Sequence, residues 1–132
     1  MADAVDSRVL RSDKTHYTIH LTNISDGTGE SAVAKIDKSA LTGPDNTEPR
    51  KLVILSARWA IQGFTSVRLL FDHSTDDEFM VLANNGYENY EEVGGFADPA
   101  SSGGTGDLLL TTAGAVSGAT YDITLRVKLR GD

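Results

Sequence analysis

The last dozen residues, Thr120 to Gly131, constrain the fold more than any other segment. Apolar and polar side chains alternate there: Tyr121, Ile123, Leu125, Val127 and Leu129 are separated by Asp122, Thr124, Arg126, Lys128 and Arg130. Side chains of a β-strand point to opposite faces in turn, so one face is apolar and the other polar. A helix would scatter these charges around its whole circumference. The segment therefore predicts a long strand that covers a core and shows its other face to water or to a polar partner.

Six further segments also predict strands: Thr15 to Asn23, Ser31 to Leu41, Lys51 to Ile61, Ser66 to Asp72, Glu78 to Asn84 and Asp107 to Thr112. Two of them leave an alternative open, since Glu30 to Leu41 also permits a short helix and Glu78 to Asn84 competes with a helix capped by Ser74.

The segment Lys51 to Ile61 predicts a regular strand. One face would carry Val53, Leu55, Ala57, Trp59 and Ile61, with Trp59 packed in the core. The other face is apolar at its start and polar later, so the strand is expected to pass from buried to exposed. A glycine-containing loop at Gly63 separates it from Ser66 to Asp72, which predicts that the two strands form a hairpin.

The number and spacing of the strands predict an all-β fold. The chain has 132 residues, which suits one domain. About seven or eight strands, joined by turns rich in glycine, are typical of a single-domain antiparallel β-sandwich, and the absence of an immunoglobulin cysteine pair favours a jelly roll. Residues 1–14 predict an extended polar N-terminal arm that orders against a partner, and residues 15–132 the sandwich domain. Tyr87 to Gly106 predicts a long loop, with Asn85-Gly86 ending the element before it.

Composition excludes several kinds of chemistry. The chain has no cysteine, which removes disulfides, thiolate zinc sites and cysteine nucleophiles. It shows neither an apolar leader nor a run of about 18 apolar residues, so we expect no signal peptide and no membrane partner. The net charge of -7 disfavours the phosphate contacts of nucleic-acid binding.

The candidate catalytic and metal-binding patterns are weak. His16 and His20 on one strand would lie roughly 13 Å apart, too far to share a zinc ion. The acids Asp72, Asp76, Asp77 and Glu78 lack EF-hand spacing, and Glu88, Glu91 and Glu92 meet no distinctive spacing. Gly103 to Gly106 lacks the lysine of a phosphate-binding loop. We therefore predict no catalytic, cofactor-binding or metal-binding residues and no enzymatic activity.

The aromatic residues Tyr87, Tyr90 and Phe96 leave two interpretations open. They could form a platform that stacks against a sugar, as in a carbohydrate-binding β-sandwich module. They could instead anchor a protein interface, because aromatic side chains are enriched at interface centres.

Several strand and turn segments resemble small structural proteins of tailed bacteriophages. They are Gly106 to Thr112 (GDLLLTT), Ser117 to Leu125 (SGATYDITL), Trp59 to Phe64 (WAIQGF), Leu70 to His73 (LFDH) and Asn85 to Tyr87 (NGY). The resemblance covers Leu52 to Arg130 and leaves out the N-terminal third. Within that group it favours the capsid decoration, or cement, proteins.

The resemblance implies a non-enzymatic virion protein that is made in the host cytoplasm and binds the outer capsid surface to stabilise the head. Its expected partners are the major capsid protein and copies of itself, as a homo-oligomer on the particle. The alternative is a head–tail or tail-fibre component. Candidate contact regions are the arm Met1 to Lys14, the loop Tyr87 to Gly106 and the basic strand face of Arg126, Lys128 and Arg130.

Overall fold

The structure, a computed structural model, describes residues 3–44, 46–73, 77–97 and 106–130. Ten strands within these residues form two antiparallel sheets that enclose one hydrophobic core, which confirms the predicted all-β sandwich. In chain order the strands are β1 (Ala4–Ser12), β2 (His16–Asp26), β3 (Val33–Ile36), β4 (Lys51–Gln62), β5 (Ser66–Phe71), β6 (Asp77–Leu82), β7 (Asn85–Asn89), β8 (Phe96–Ala97), β9 (Leu108–Ala113) and β10 (Ser117–Arg130).

The two sheets differ in size. The first sheet has the order β1-β2-β10-β4-β7, with β8 also paired to β4, and the second has the order β3-β9-β5-β6. Short 3-10 turns at Lys38–Ala40 and Glu91–Val93 are the only helical elements in the described part of the chain. Neither is long or apolar enough to cross a bilayer.

Strand β10 lies at the centre of the first sheet, between β2 and β4. Its alternate side chains Tyr121, Ile123, Leu125, Val127 and Leu129 are at most 2% exposed, as their spacing predicts. The strand begins at Ser117, three residues earlier than expected, and its last described residue is Arg130.

The predicted passage of β4 from buried to exposed is confirmed, because residues 52–57 are buried whereas Arg58 and Ala60 are exposed. The prediction that Val53 and Leu55 share a face with Ala57 is wrong. A register shift against β10 falls at Leu55, because Ser56 is opposite Arg126 whereas Ile54 is opposite Val127. Such a bulge inserts one residue and exchanges the two faces of a strand. Leu52 and Ile54 therefore join Ala57 and Ile61 in the core, while Val53 and Leu55 are buried outside the core cluster. Beyond the bulge, Trp59 packs against the core as predicted.

The predicted hairpin of β4 and β5 is also wrong, because the two strands belong to different sheets. β4 is paired on one edge with β10 and on the other with β7 and β8. β5 is paired with β9 and β6. Gly63, at φ +88°, and the buried Phe64 lead the chain from one sheet across to the other.

Three strands were not expected from the sequence, which is why the described residues contain ten strands instead of the predicted seven or eight. β8 and the second part of β7 lie in the predicted loop Tyr87 to Gly106, of which residues 98–105 lie outside the described residues. β6 ends at Leu82, just before Asn85-Gly86 as predicted, and Asn84 adopts a left-handed conformation with φ 57° before β7 begins at Asn85.

The third unexpected strand is β1, within the predicted arm. β1 pairs along β2, with a bulge at Leu10, and forms one edge of the first sheet. It is therefore ordered within the chain, which differs from the expected arm, while the domain boundary at residue 14 stays a prediction. The two ambiguous segments contain strands: β6 replaces the competing helix, and β3 is followed by a 3-10 turn.

Candidate docking face

The polar side of β10 belongs to a wider basic surface on the first sheet. Side chains directly opposite each other on paired strands share a face. Residues opposite the outward positions of β10 and β2 therefore extend this surface across four strands. We call it the basic face, and it comprises Arg8, Arg11, Lys51, Arg58, Arg126, Lys128 and Arg130. These are seven of the chain's twelve Lys and Arg residues, although its net charge is -7.

Two ion pairs occupy part of the basic face. Arg126 Nη2 lies 2.8 Å from Glu91 Oε1, and Arg11 Nε lies 2.8 Å from Asp13 Oδ2. All four side chains are more than 40% exposed, so each pair adds little stability and can exchange its partner. The predicted basic strip of β10 is thus one part of a larger cationic surface.

The opposite end of the same sheet face is acidic and apolar. Asp6 and Asp122 lie there with Ala4, Ala60 and Ile24, whose side chain is 61% exposed. These residues belong to an open hollow of about 850 Å³. Charge is therefore graded along the face, from acidic at the Asp122 end of β10 to basic at its Arg130 end.

Two smaller hollows continue from the first one across the face. One of about 540 Å³ shares Ala60 and Asp122 with it, and another of about 230 Å³ lies between Tyr87 and Arg126. Both smaller hollows are lined by Arg58, whose guanidinium carbon lies 5.5 Å from the centre of the Tyr87 ring. Together they form a shallow groove, which suits an extended protein segment better than a small enclosed ligand.

The three predicted platform aromatics do not share one exposed surface. Tyr87 is 52% exposed on β7. Tyr90 and Phe96 are half-buried, with ring centres 5.7 Å apart in an edge-on arrangement, and the Phe96 ring centre lies 5.2 Å from that of Phe79, which packs against the core. Only Tyr87 is therefore presented to a partner, beside Arg58 of the basic face.

The histidines and acids considered from the sequence are dispersed. His20 Nε2 lies 2.7 Å from Asp122 Oδ1, whereas a ring nitrogen of His16 lies 2.8 Å from Thr15 Oγ1. Glu78 is paired with Arg68 at 3.4 Å, and Asp76 lies outside the described residues. Among the residues that the structure describes, no group of three or more His, Asp or Glu side chains could hold a metal ion.

A buried polar cluster was missed by the sequence analysis. Glu30 accepts hydrogen bonds from Tyr121 Oη at 2.5 Å and from Asn23 Nδ2 at 2.8 Å, and its other oxygen lies 2.5 Å from Lys35 Nζ. The side chains of Lys35 and Glu30 are only 4% and 6% exposed. Burial, reinforced by the Glu30 carboxylate, raises the pKa of Tyr121 well above its ordinary value. Strand β3 has a bulge at Lys35, which breaks the regular alternation there, and the Lys35 side chain is turned inward.

Asp3 extends this cluster to the start of the described chain. Its carboxylate accepts hydrogen bonds from Ser25 Oγ at 2.9 Å, Asn23 Nδ2 at 3.1 Å and the Gly29 amide at 3.1 Å. Burial alone would raise the pKa of Asp3, but hydrogen bonds led by that from Asn23 outweigh it and hold the pKa below its ordinary value. Asp3 thereby fastens the beginning of β1 to the turn that follows β2.

The fold and the surface together define an all-β sandwich with one segregated basic face and a shallow groove. No protein-family model matches the chain, and no curated protein matches it at a significant level.

Proposed function

We propose that the chain is a non-enzymatic structural protein of a tailed-bacteriophage virion, and that it decorates the outer capsid and stabilises the head. The observation that carries the proposal is the basic face, since a cationic surface on an acidic protein fits an acidic neighbour. The resemblance of Leu52 to Arg130 to phage structural proteins supports the same assignment.

The strand order supports a jelly roll, a fold used by many viral capsid domains. With β1 and β8 set aside, the first sheet has the order β2-β10-β4-β7 and the second β3-β9-β5-β6. These two four-stranded sheets have the order expected for eight consecutive strands that form two Greek keys. Fold alone does not define function, so the strand order supports the proposal by analogy.

Docking in this proposal uses the basic face against acidic patches of the major capsid protein. Exposed ion pairs are individually weak. A regular shell nevertheless presents many equivalent sites, and contacts between bound copies raise the effective concentration of each one. Arg58 and Lys128 are both exposed on the basic face, and Tyr87 provides an adjacent aromatic contact.

Reversing one charge on the basic face tests this proposal. Arg58→Glu and Lys128→Glu should each weaken binding to capsids assembled without this protein by about tenfold or more, measured by co-sedimentation at low salt. The matched control is Arg68→Glu, the same change on the second sheet, which should bind as the original chain does.

Three results would contradict the proposal. They are equal binding by Arg58→Glu and Arg68→Glu, absence of the chain from purified particles, and equally strong binding of the basic face to DNA. Copy number separates decoration from the head–tail or tail-fibre alternative, because a shell protein is present in many copies and a neck or tail protein in one or a few rings.

A further inference from the structure

Strand β1 leaves one of its edges open. Among the described residues, β1 pairs only with β2 and ends the first sheet. All nine of its residues, Ala4–Ser12, are exposed. A long edge strand offers a row of backbone donors and acceptors to another strand, and proteins usually protect such edges.

The inward side of β1 carries two valines that are not covered. Val5 is opposite the buried Asn23, and Val9 is opposite the buried Ile19, so both valines point toward the core side of the sheet. They are nevertheless 49% and 47% exposed. A partner strand beside β1 would shield them.

The sequence of β1 is complementary to itself about Ser7. When two copies run antiparallel with Ser7 opposite Ser7, Val5 of each copy lies opposite Val9 of the other. Asp6 then lies opposite Arg8 on the outward face, twice in the pair. Opposite charges and β-branched pairs at directly opposed positions both stabilise antiparallel strands.

We propose that two copies of the chain associate through their β1 edges in this register, with a two-fold axis at Ser7. The first sheets of both copies then form one continuous sheet, and the four valines form two apolar pairs on its core side, one on each side of the Ser7 pair. A second copy fits better than an unrelated strand because the apolar and charged pairs match on both faces at once. This interface is separate from Arg58 and Lys128, so it holds or fails independently of the proposed capsid role.

A single introduced cysteine tests the register, since the chain has none of its own. Directly opposed residues of antiparallel strands have Cα atoms about 4.5–5.5 Å apart, within the range that a disulfide spans. Ser7→Cys should therefore give a covalent dimer under mild oxidation. Ser12→Cys, a matched control on the same strand, lies far from the two-fold axis and should cross-link at least about tenfold more slowly.

Charge exchange tests the pairing of Asp6 with Arg8. Asp6→Arg or Arg8→Asp places like charges opposite each other twice, so each variant alone should have a dimer dissociation constant raised by about tenfold or more. A mixture of the two variants restores both opposite-charge pairs and should dimerise again, as should the doubly exchanged chain. Glu92→Arg, an exposed change of the same size on another element, should leave dimerisation unchanged.

Sedimentation equilibrium at concentrations up to about 1 mM, with circular dichroism as a check of folding, decides the outcome. Dimers that are lost in both single variants and regained in their mixture support the interface. A chain that is monomeric throughout, a dimer that is indifferent to both charge changes, or equal cross-linking at positions 7 and 12 would overturn it. If one single variant fails to fold, the doubly exchanged chain and the cysteine pair still give the answer.

Discussion

The buried ion pair of Lys35 and Glu30 leads to the most demanding prediction. In Lys35→Met the apolar stem is kept and the charge removed, so the Glu30 carboxylate stays buried without its cation. Removing one partner of a buried pair typically costs about 3–5 kcal/mol. Hydrogen bonds from Tyr121 and Asn23 to the carboxylate remain. We therefore expect the lower end of that range, a loss of about 3 kcal/mol.

Urea denaturation followed by circular dichroism measures this loss. With a denaturant slope of about 1.5–2 kcal/mol per molar urea for a small domain, the midpoint should fall by about 1.5–2 M. Such a change is a large part of the roughly 5–15 kcal/mol that stabilises a domain. In the double variant Lys35→Met with Glu30→Gln, the loss should be smaller than the sum of the two single losses, because no buried charge is left unpaired.

Arg68→Met is the matched control, because Arg68 lies 3.4 Å from Glu78 with both side chains more than a third exposed. Its cost should stay below about 1 kcal/mol. The reasoning is refuted if Lys35→Met costs no more than Arg68→Met, since the Lys35 pair would then behave as a solvated one.

Three further predictions concern the core, an ionisable group and a turn. Leu125→Ala, at a fully buried position, should lower the unfolding free energy by about 2–5 kcal/mol in urea titrations. Arg126→Ala, at an exposed position, should lower it by less than about 1 kcal/mol. Similar losses in the two variants would show that the polar face is packed. Tyr121 keeps its proton above its ordinary pKa of 10.0 in the folded state and loses it in the unfolded chain, so the unfolding free energy should fall as the pH rises past 10. Melting curves of Tyr121→Phe should show a smaller fall. An equal fall with pH in this variant would contradict the raised pKa of Tyr121. Gly63→Ala should destabilise the fold by about 1–3 kcal/mol, which is more than Gly94→Ala. Both glycines have positive φ, but a Cβ at residue 63 would lie 2.9 Å from neighbouring backbone, whereas a Cβ at residue 94 would meet nothing within 4 Å. Equal losses would mean that the close approach at residue 63 has no cost.

The sequence predicts those parts of the fold that depend on local alternation. β2 and β10 were expected within a few residues, because each has one buried and one largely polar face. Alternation does not identify the neighbour of a strand, so it could not show that β4 and β5 lie in different sheets. A bulge such as that at Leu55 adds one residue without any change of composition, and so it was invisible.

The candidate docking face was partly predictable for the same reason. Arg126, Lys128 and Arg130 are visible as a basic strip because they lie on one strand. Arg8 and Arg58 join them only through the pairing of distant strands, which the sequence does not give. The buried pair of Lys35 and Glu30 carried no recognisable signal, since the alternation that predicts a strand in this segment does not show which charged side chains turn inward.

The segregation of charge on the first sheet gives the molecule an electric dipole. A body with net charge -7 is repelled as a whole by an acidic surface, yet its basic face is attracted. The resulting torque turns the molecule before contact, over distances of about 8–10 Å in physiological salt and further in dilute buffer. Added salt should therefore slow the productive encounter with an acidic partner by randomising the orientation of approach, even where the contacts made after docking are unchanged.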